Sequence, residues 1–294
     1  AFLNANHFQP MRQLLKITAT FTLALIFTAG IAFGQSNETD ITQLTDKNDA
    51  TVQQDGEENV ADILQKGANK NTATIRQSSD PSADGVIEST IRQVGFNNFA
   101  MTNASRKNDR SSTTSQKQFG NRNRAFINQD EGTSPDGNEG ITLTQYQDGN
   151  RNLARMSGGD SYNAEQRQIG HRNVATTSGN GKNADVFQRQ VGDDNVARQE
   201  GNMSFAGSDQ IQLGDDNRSL LYGIGHEPNS NESYLTRQDG SDNLARLDAN
   251  GNGGVLEVRQ TGPENVAQVD WSTGYNDTFV KQNGFDNTAV VNSN

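Results

Sequence analysis

The side chains that recur at fixed spacing in this 294-residue chain are primary amides. Gln190 is followed by Gly192, Asn195 and Ala197, a Gln-x-Gly-x-x-Asn-x-Ala pattern. The pattern returns from Gln93, Gln118, Gln147, Gln168, Gln212, Gln238, Gln260 and Gln282, with Ser219 the one departure at the Ala position. The matching asparagines are Asn98, Asn123, Asn152, Asn173, Asn217, Asn243, Asn265 and Asn287. The glycines are Gly95, Gly120, Gly149, Gly170, Gly214, Gly240, Gly262 and Gly284. A further full copy holds Gln54, Gly56 and Asn59. An amide both donates and accepts hydrogen bonds, so a column of identical amides satisfies itself, whereas ionised carboxylates only accept. The chemistry on offer is self-complementary stacking.

Acid–base chemistry has little to work with. Beyond the leader described below, the histidines are His171 and His226, far apart and in turn-like sequence, and no Gly-x-Ser-x-Gly elbow is present. Asp and Glu concentrate in turns and at outward positions, so no catalytic residue and no enzyme activity is expected. Asp193, Asp194, Asp215 and Asp216 could align oxygens for calcium, but the repeats that do so, Gly-Gly-x-Gly-x-Asp and the EF-hand loop, are absent. They read as solvated turn residues, and no metal or cofactor is expected. With no cysteine there is neither a disulfide framework nor a thiolate metal site. A formal charge of −11 argues against nucleic acid as a partner.

The elements that hold the amides follow from the spacing. From Gln147 onward the usual step is 22 residues, and Gln43, Gln54 and Gln65 are 11 apart. That combination predicts two strand–turn halves per rung of an all-β solenoid, cross-β on assembly. Positions two before each Gln are uncharged (Ile91, Gln116, Gln145, Gln166, Gln188, Gln210, Thr236, Val258, Val280), and positions one before are mostly basic. One face is therefore inward and the other wet. Rungs stacked in register about 4.8 Å apart place Gln over Gln and Asn over Asn. Ala suits a narrow gap between facing sheets, and the fixed Gly suits a corner without a Cβ. Only 31% of residues are hydrophobic, a composition that suggests disorder. A solenoid can stay ordered at that composition, because each rung is held by its neighbours. The outward basic column repels by about 0.9 kcal/mol per pair in water, less than the backbone ladder gains, and acidic turns are expected to offset it. Longer steps (65→93, 93→118, 118→147, 212→238) carry turn formers such as Gly132–Gly137, expected at the second turn.

Residues 1–10 read as an upstream, non-native segment. Residues 11–34 read as a signal peptide: Met11, then Arg12 and Lys16, an apolar run from Ile17 to Phe33, and cleavage before Gln35. Residues 35–42 read as a disordered tail and 43–294 as the repeat solenoid. With no cap recognisable at either end, both edges are expected to recruit another copy.

The repeated motif, the 22-residue step and the leader resemble the curlin repeat, over residues 43 to 291. The resemblance implies a secreted subunit of curli-like extracellular fibres of a Gram-negative cell surface, a functional amyloid for biofilm matrix and adhesion. It implies self-polymerisation through the Gln and Asn positions named above. It also implies a nucleator subunit, an outer-membrane secretion pore and periplasmic chaperones as partners. The alternatives are a minor nucleating subunit and a monomeric β-solenoid adhesin or binding module.

Overall fold

Alternation of buried and more exposed side chains governs the strands between the two end rungs. In β5 (Ile87–Phe96), Ile87, Ser89, Ile91 and Gln93 are buried while Glu88 and Arg92 are exposed. A period of two is an extended strand with one wet face. The computed structural model describes residues 37–67, 70–79, 85–106, 111–129, 140–158, 162–178, 184–200, 206–222, 232–249, 255–271 and 277–293. The proposed leader, 1–34, lies outside them.

Among the described residues there is no helix, and the strands form two parallel sheets of eleven. One sheet contains β1 (Glu38–Gln43), β3 (Asn59–Lys66), β5, β7 (Ser112–Asn121), β9 (Ile141–Asn150), β11 (Tyr162–His171), β13 (Ala184–Val191), β15 (Ala206–Leu213), β17 (Glu232–Asp239), β19 (Val255–Thr261) and β21 (Thr278–Asn283). The other contains β2 (Asp49–Asp55), β4 (Thr72–Ser79), β6 (Phe99–Arg106), β8 (Arg124–Gln129), β10 (Leu153–Gly158), β12 (Val174–Thr177), β14 (Val196–Gln199), β16 (Arg218–Leu221), β18 (Leu244–Ala249), β20 (Val266–Trp271) and β22 (Thr288–Ser293). Consecutive strands always change sheet, so the chain is a parallel β-solenoid whose rungs each give one strand to each sheet. The long steps fall where expected, between β4 and β5, β6 and β7, β8 and β9, and β16 and β17. Gly132–Gly137 lies outside the described residues.

One expectation needs correction. Residues 38–42 are not a tail: they form most of β1, with Ile41 paired to Ile63 and Gln43 to Gln65. Thr39 and Ile41 already follow the inward alternation, and a neighbouring rung supplies the backbone partners that a lone segment would lack. The basic column is exposed as expected, and several of its members also have partners on the same strand or an adjacent rung. Arg237 and Arg259 pair with Asp239 and Glu257, and Arg92 and Arg167 lie 5.6 and 5.4 Å from the ring centres of Phe119 and Tyr146.

The interior between the sheets is thin. Ala100, Ala125, Ala154, Ala175, Ala197, Ser219, Ala245 and Ala267 are buried in one row, since each pairs in register with the next. At the first corner the backbone of successive rungs nearly touches. Gly192 has φ +119°, and a Cβ there would lie 2.2 Å from the Gly214 carbonyl oxygen. Both the dihedral and the contact require glycine. Gly207, in β15, meets nothing within 4 Å. Gly192→Ala is therefore expected to lower the unfolding free energy by about 2 kcal/mol or more, and Gly207→Ala to change it by less than about 0.5 kcal/mol. Chemical denaturation of the two variants checks this; equal effects would contradict the corner geometry.

Candidate functional site: the stacked amide columns

In-register pairing sets each motif glutamine directly on the next. Gln43, Gln65, Gln93, Gln118, Gln147, Gln168, Gln190, Gln212, Gln238, Gln260 and Gln282 make one column. Each Nε2 donates to the Oε1 of the following rung at 2.7–2.9 Å, through ten successive links. From Gln65 on, the second hydrogen of each Nε2 crosses to the facing strand. There it meets the carbonyl of the residue after the preceding rung's asparagine, for example Val174 from Gln190 and Leu153 from Gln168, at 2.8–3.0 Å. One side chain thus links two rungs and two sheets, and between Gln65 and Gln260 it is fully buried.

The asparagines make the expected amide-on-amide links from Asn152 to Asn287, each Nδ2 donating to the preceding Oδ1 at 2.7–3.3 Å, and add bonds to backbone that the motif did not foretell. Along Asn48, Asn71, Asn98, Asn123, Asn152, Asn173, Asn195, Asn217, Asn243, Asn265 and Asn287, each Oδ1 accepts from the next asparagine's backbone N–H at 3.0–3.2 Å. The Nδ2 of Asn71, Asn98, Asn123, Asn152, Asn173, Asn195, Asn217 and Asn265 donates to the next rung's corner glycine carbonyl at 2.6–3.0 Å. Asparagine is one methylene shorter than glutamine and sits beside the corner, where the strand ladder is interrupted. Its side chain replaces the missing backbone partners. The fixed Gly–Asn spacing is therefore one device: the glycine turns its carbonyl to where the next asparagine below can reach it.

The copy at Gln54, Gly56 and Asn59 stands half a rung out of phase. Gln54 belongs to the other sheet, paired with Gln77 and donating to its Oε1 at 3.1 Å. Asn59 pairs with Ile87, and Gly56 lies against Ser79. Gln43, Gln65, Asn48 and Asn71 occupy the main columns instead, although Thr45 and an extra residue before Asn71 break the motif there. The 22-residue phase from Gln43 to Gln65 was the signal for them.

A second inward row was visible only as uncharged positions. Gln116, Gln145, Gln166, Gln188 and Gln210 link Nε2 to Oε1 at 2.7–3.0 Å. Aliphatic residues continue the row, with Ile63 and Ile91 before it and Val258 and Val280 after Thr236. The corner acids and His171 also have partners. His171 Nδ1 accepts from Asn150 N at 3.2 Å, Asp193 Oδ1 from His171 N at 2.8 Å, and Asp215 Oδ1 from Asp193 N at 2.7 Å. These side chains serve the stack as well as facing water. His226 lies outside the described residues. Arg172 grips Asp194 through Nε and Nη2, holding that carboxyl below the usual Asp value. Among the described residues no group of three or more His, Asp or Glu is arranged to hold a metal.

The column predicts its own pH test. Gln190→Leu strands Gln168 Nε2, Gln212 Oε1 and the Val174 carbonyl, at about 1–3 kcal/mol for each buried group left unmade. Gln190→Glu replaces a donor by an acceptor in a dry site, so its folded pKa rises above the unfolded value of about 4.3. Its stability should approach that of the wild type near pH 4 and fall as pH rises through the raised value. Denaturation between pH 4 and 8 checks this; a variant insensitive to pH would contradict the buried donor role.

Residues 34–67 and 45–78 match the family model of the curlin associated repeat. No curated protein matches the chain. The matched residues contribute the first two members of the glutamine and asparagine columns, and later rungs continue those columns without change of register. Residues 34–78 of the chain thus carry the curlin associated repeat.

Proposed function

We propose that the protein is a secreted structural subunit of curli-like extracellular fibres, serving biofilm matrix and surface adhesion, and that it polymerises head to tail through the Gln and Asn columns. The observation that supports this most is the match between the first and last described rungs. Extending the register by one step sets Gln282 over Gln43 of the next molecule, Val280 over Ile41, Asn287 over Asn48, Ala289 over Ala50 and Val291 over Val52. Each of these residues meets one of its own kind, while Gln54 falls opposite Ser293. The Nε2 of Gln282 would find the Oε1 of Gln43, as every glutamine inside the molecule does.

Among the described residues, the two end rungs also hold most of the large exposed hydrophobic side chains. Five of the six large hydrophobic residues that stand exposed, Ile41, Leu44, Phe279, Phe285 and Val290, belong to them. Adding a rung creates roughly ten backbone hydrogen bonds at about 0.5–1.5 kcal/mol net apiece, alongside the amide links. Unpaired strand edges of this kind template further strands.

In this reading residues 11–34 direct export and are removed before Gln35. A nucleating subunit, an outer-membrane pore and periplasmic chaperones act before assembly. The chain from Gln35 to Asn294, purified and quiescent, should assemble into thioflavin-positive filaments after a lag. The lag should shorten with concentration and vanish on adding fragments of its own filaments. Sedimentation as a monomer at all concentrations, with or without those fragments, would overturn the proposal in favour of a monomeric binding module.

A further inference from the structure

At the first corner of every rung one residue takes a left-handed backbone conformation. In chain order these are Lys47, Lys70, Asn97, Arg122, Arg151 and Arg172, then Asp194, Asp216, Asp242, Glu264 and Asp286, with φ between 54° and 73°. The first six are cationic except for Asn97, and the last five are all anionic. The sign changes once, between Arg172 and Asp194, and there the two meet in a two-pronged ion pair with Arg172 Nε 2.6 Å from Asp194 Oδ1.

Backbone geometry does not account for this order. Asn and Asp adopt the left-handed region more readily than most residues, but Arg, Lys and Glu have no such preference. Within one molecule, alternating signs would pair every neighbour along the column. Segregated signs leave like charges one rung apart, an unfavourable arrangement in isolation. What segregation provides is a cation on the first rung and an anion on the last.

Lys47 is also the only cation between Glu38 and Asp55, a stretch with Glu38, Asp40, Asp46, Asp49 and Asp55. The last rung carries Asp277 and Asp286 against Lys281. In the head-to-tail register Asp277 falls opposite Glu38, whereas Asp286 falls opposite Lys47. Both Lys47 and Asp286 are exposed. We propose that the segregated corner column sets the polarity of self-association. The occupant of each end is a second copy of this chain, and the Lys47–Asp286 contact admits the first rung of one molecule onto the last rung of another. Contact of two first rungs brings together ten acids and two copies of Lys47, and contact of two last rungs brings together two copies of Asp286, so neither supplies the Lys47–Asp286 pair. The inference rests on the fibre reading above and specifies how its direction is chosen.

The test is elongation of preformed filament fragments by Lys47→Glu, Asp286→Lys and the double variant. The backbone tolerates both changes, because Glu264 and Lys70 hold the same conformation elsewhere in the column. Each single variant should extend its own fragments about three- to tenfold more slowly than the wild type, and the double variant should return to within about twofold. Arg189→Glu, an exposed mid-chain reversal in β13, should extend at the wild-type rate. Single variants at the wild-type rate, a double variant no faster than the slower single, or an equal effect of Arg189→Glu would each overturn the corner proposal while leaving the fibre reading intact. Failure of the wild type itself to form filaments would overturn both.

Discussion

A buried amide must spend two donors and an acceptor, and in this molecule its own repeat one rung away is the partner within reach. That constraint sets much of the rest. It requires parallel, in-register strands, because a slip of one residue would turn every amide outward. It requires the same residue at each step, because a carboxylate or an alkyl chain breaks the row on both sides. It also explains how a chain with so few apolar residues keeps a dry interior. The amides of the main glutamine column enter that interior already paired.

The two amide types divide the work by length. Glutamine reaches the next glutamine and the opposite sheet. Asparagine stays at the corner and caps backbone groups that the turn leaves unpaired. The glycine between them lets adjacent corners close to contact. Around these columns the filling varies along the axis. Near the first rungs it is aliphatic, with Val52, Ile63, Ile75 and Ile91 packed together. The middle rungs carry the second glutamine row. The later rungs return to Leu247, Leu256, Val258 and Val269. The invariant columns keep the register while neighbouring positions change.

Much of the architecture was legible in the sequence, because strand alternation and the 22-residue step are local and periodic. The inward face, the corner glycine and the site of the long insertions all follow from counting. What escaped depends on phase and on three-dimensional partners. Gln54 carries a perfect motif yet sits in the other sheet, because an 11-residue step is half a rung. Gln43 and Gln65 carry imperfect motifs yet join the column, because phase outranks local identity. The asparagine bonds to backbone could not be read from a motif that names only side chains. The sign change from Arg172 to Asp194 lies at motif positions free to vary, and it acquires meaning only when the corners are stacked.

Function follows from the same periodicity. In the fibre reading proposed above, the last described rung templates the first rung of another copy, and the repeat matched over residues 34–78 supports that reading. Helical reconstruction of filaments by electron microscopy tests the central claim most directly. The eleven described rungs at about 4.8 Å predict an axial rise near 53 Å per subunit, with uninterrupted glutamine density through the junction. A rise of one rung spacing per molecule, or antiparallel rungs at the junction, would contradict it.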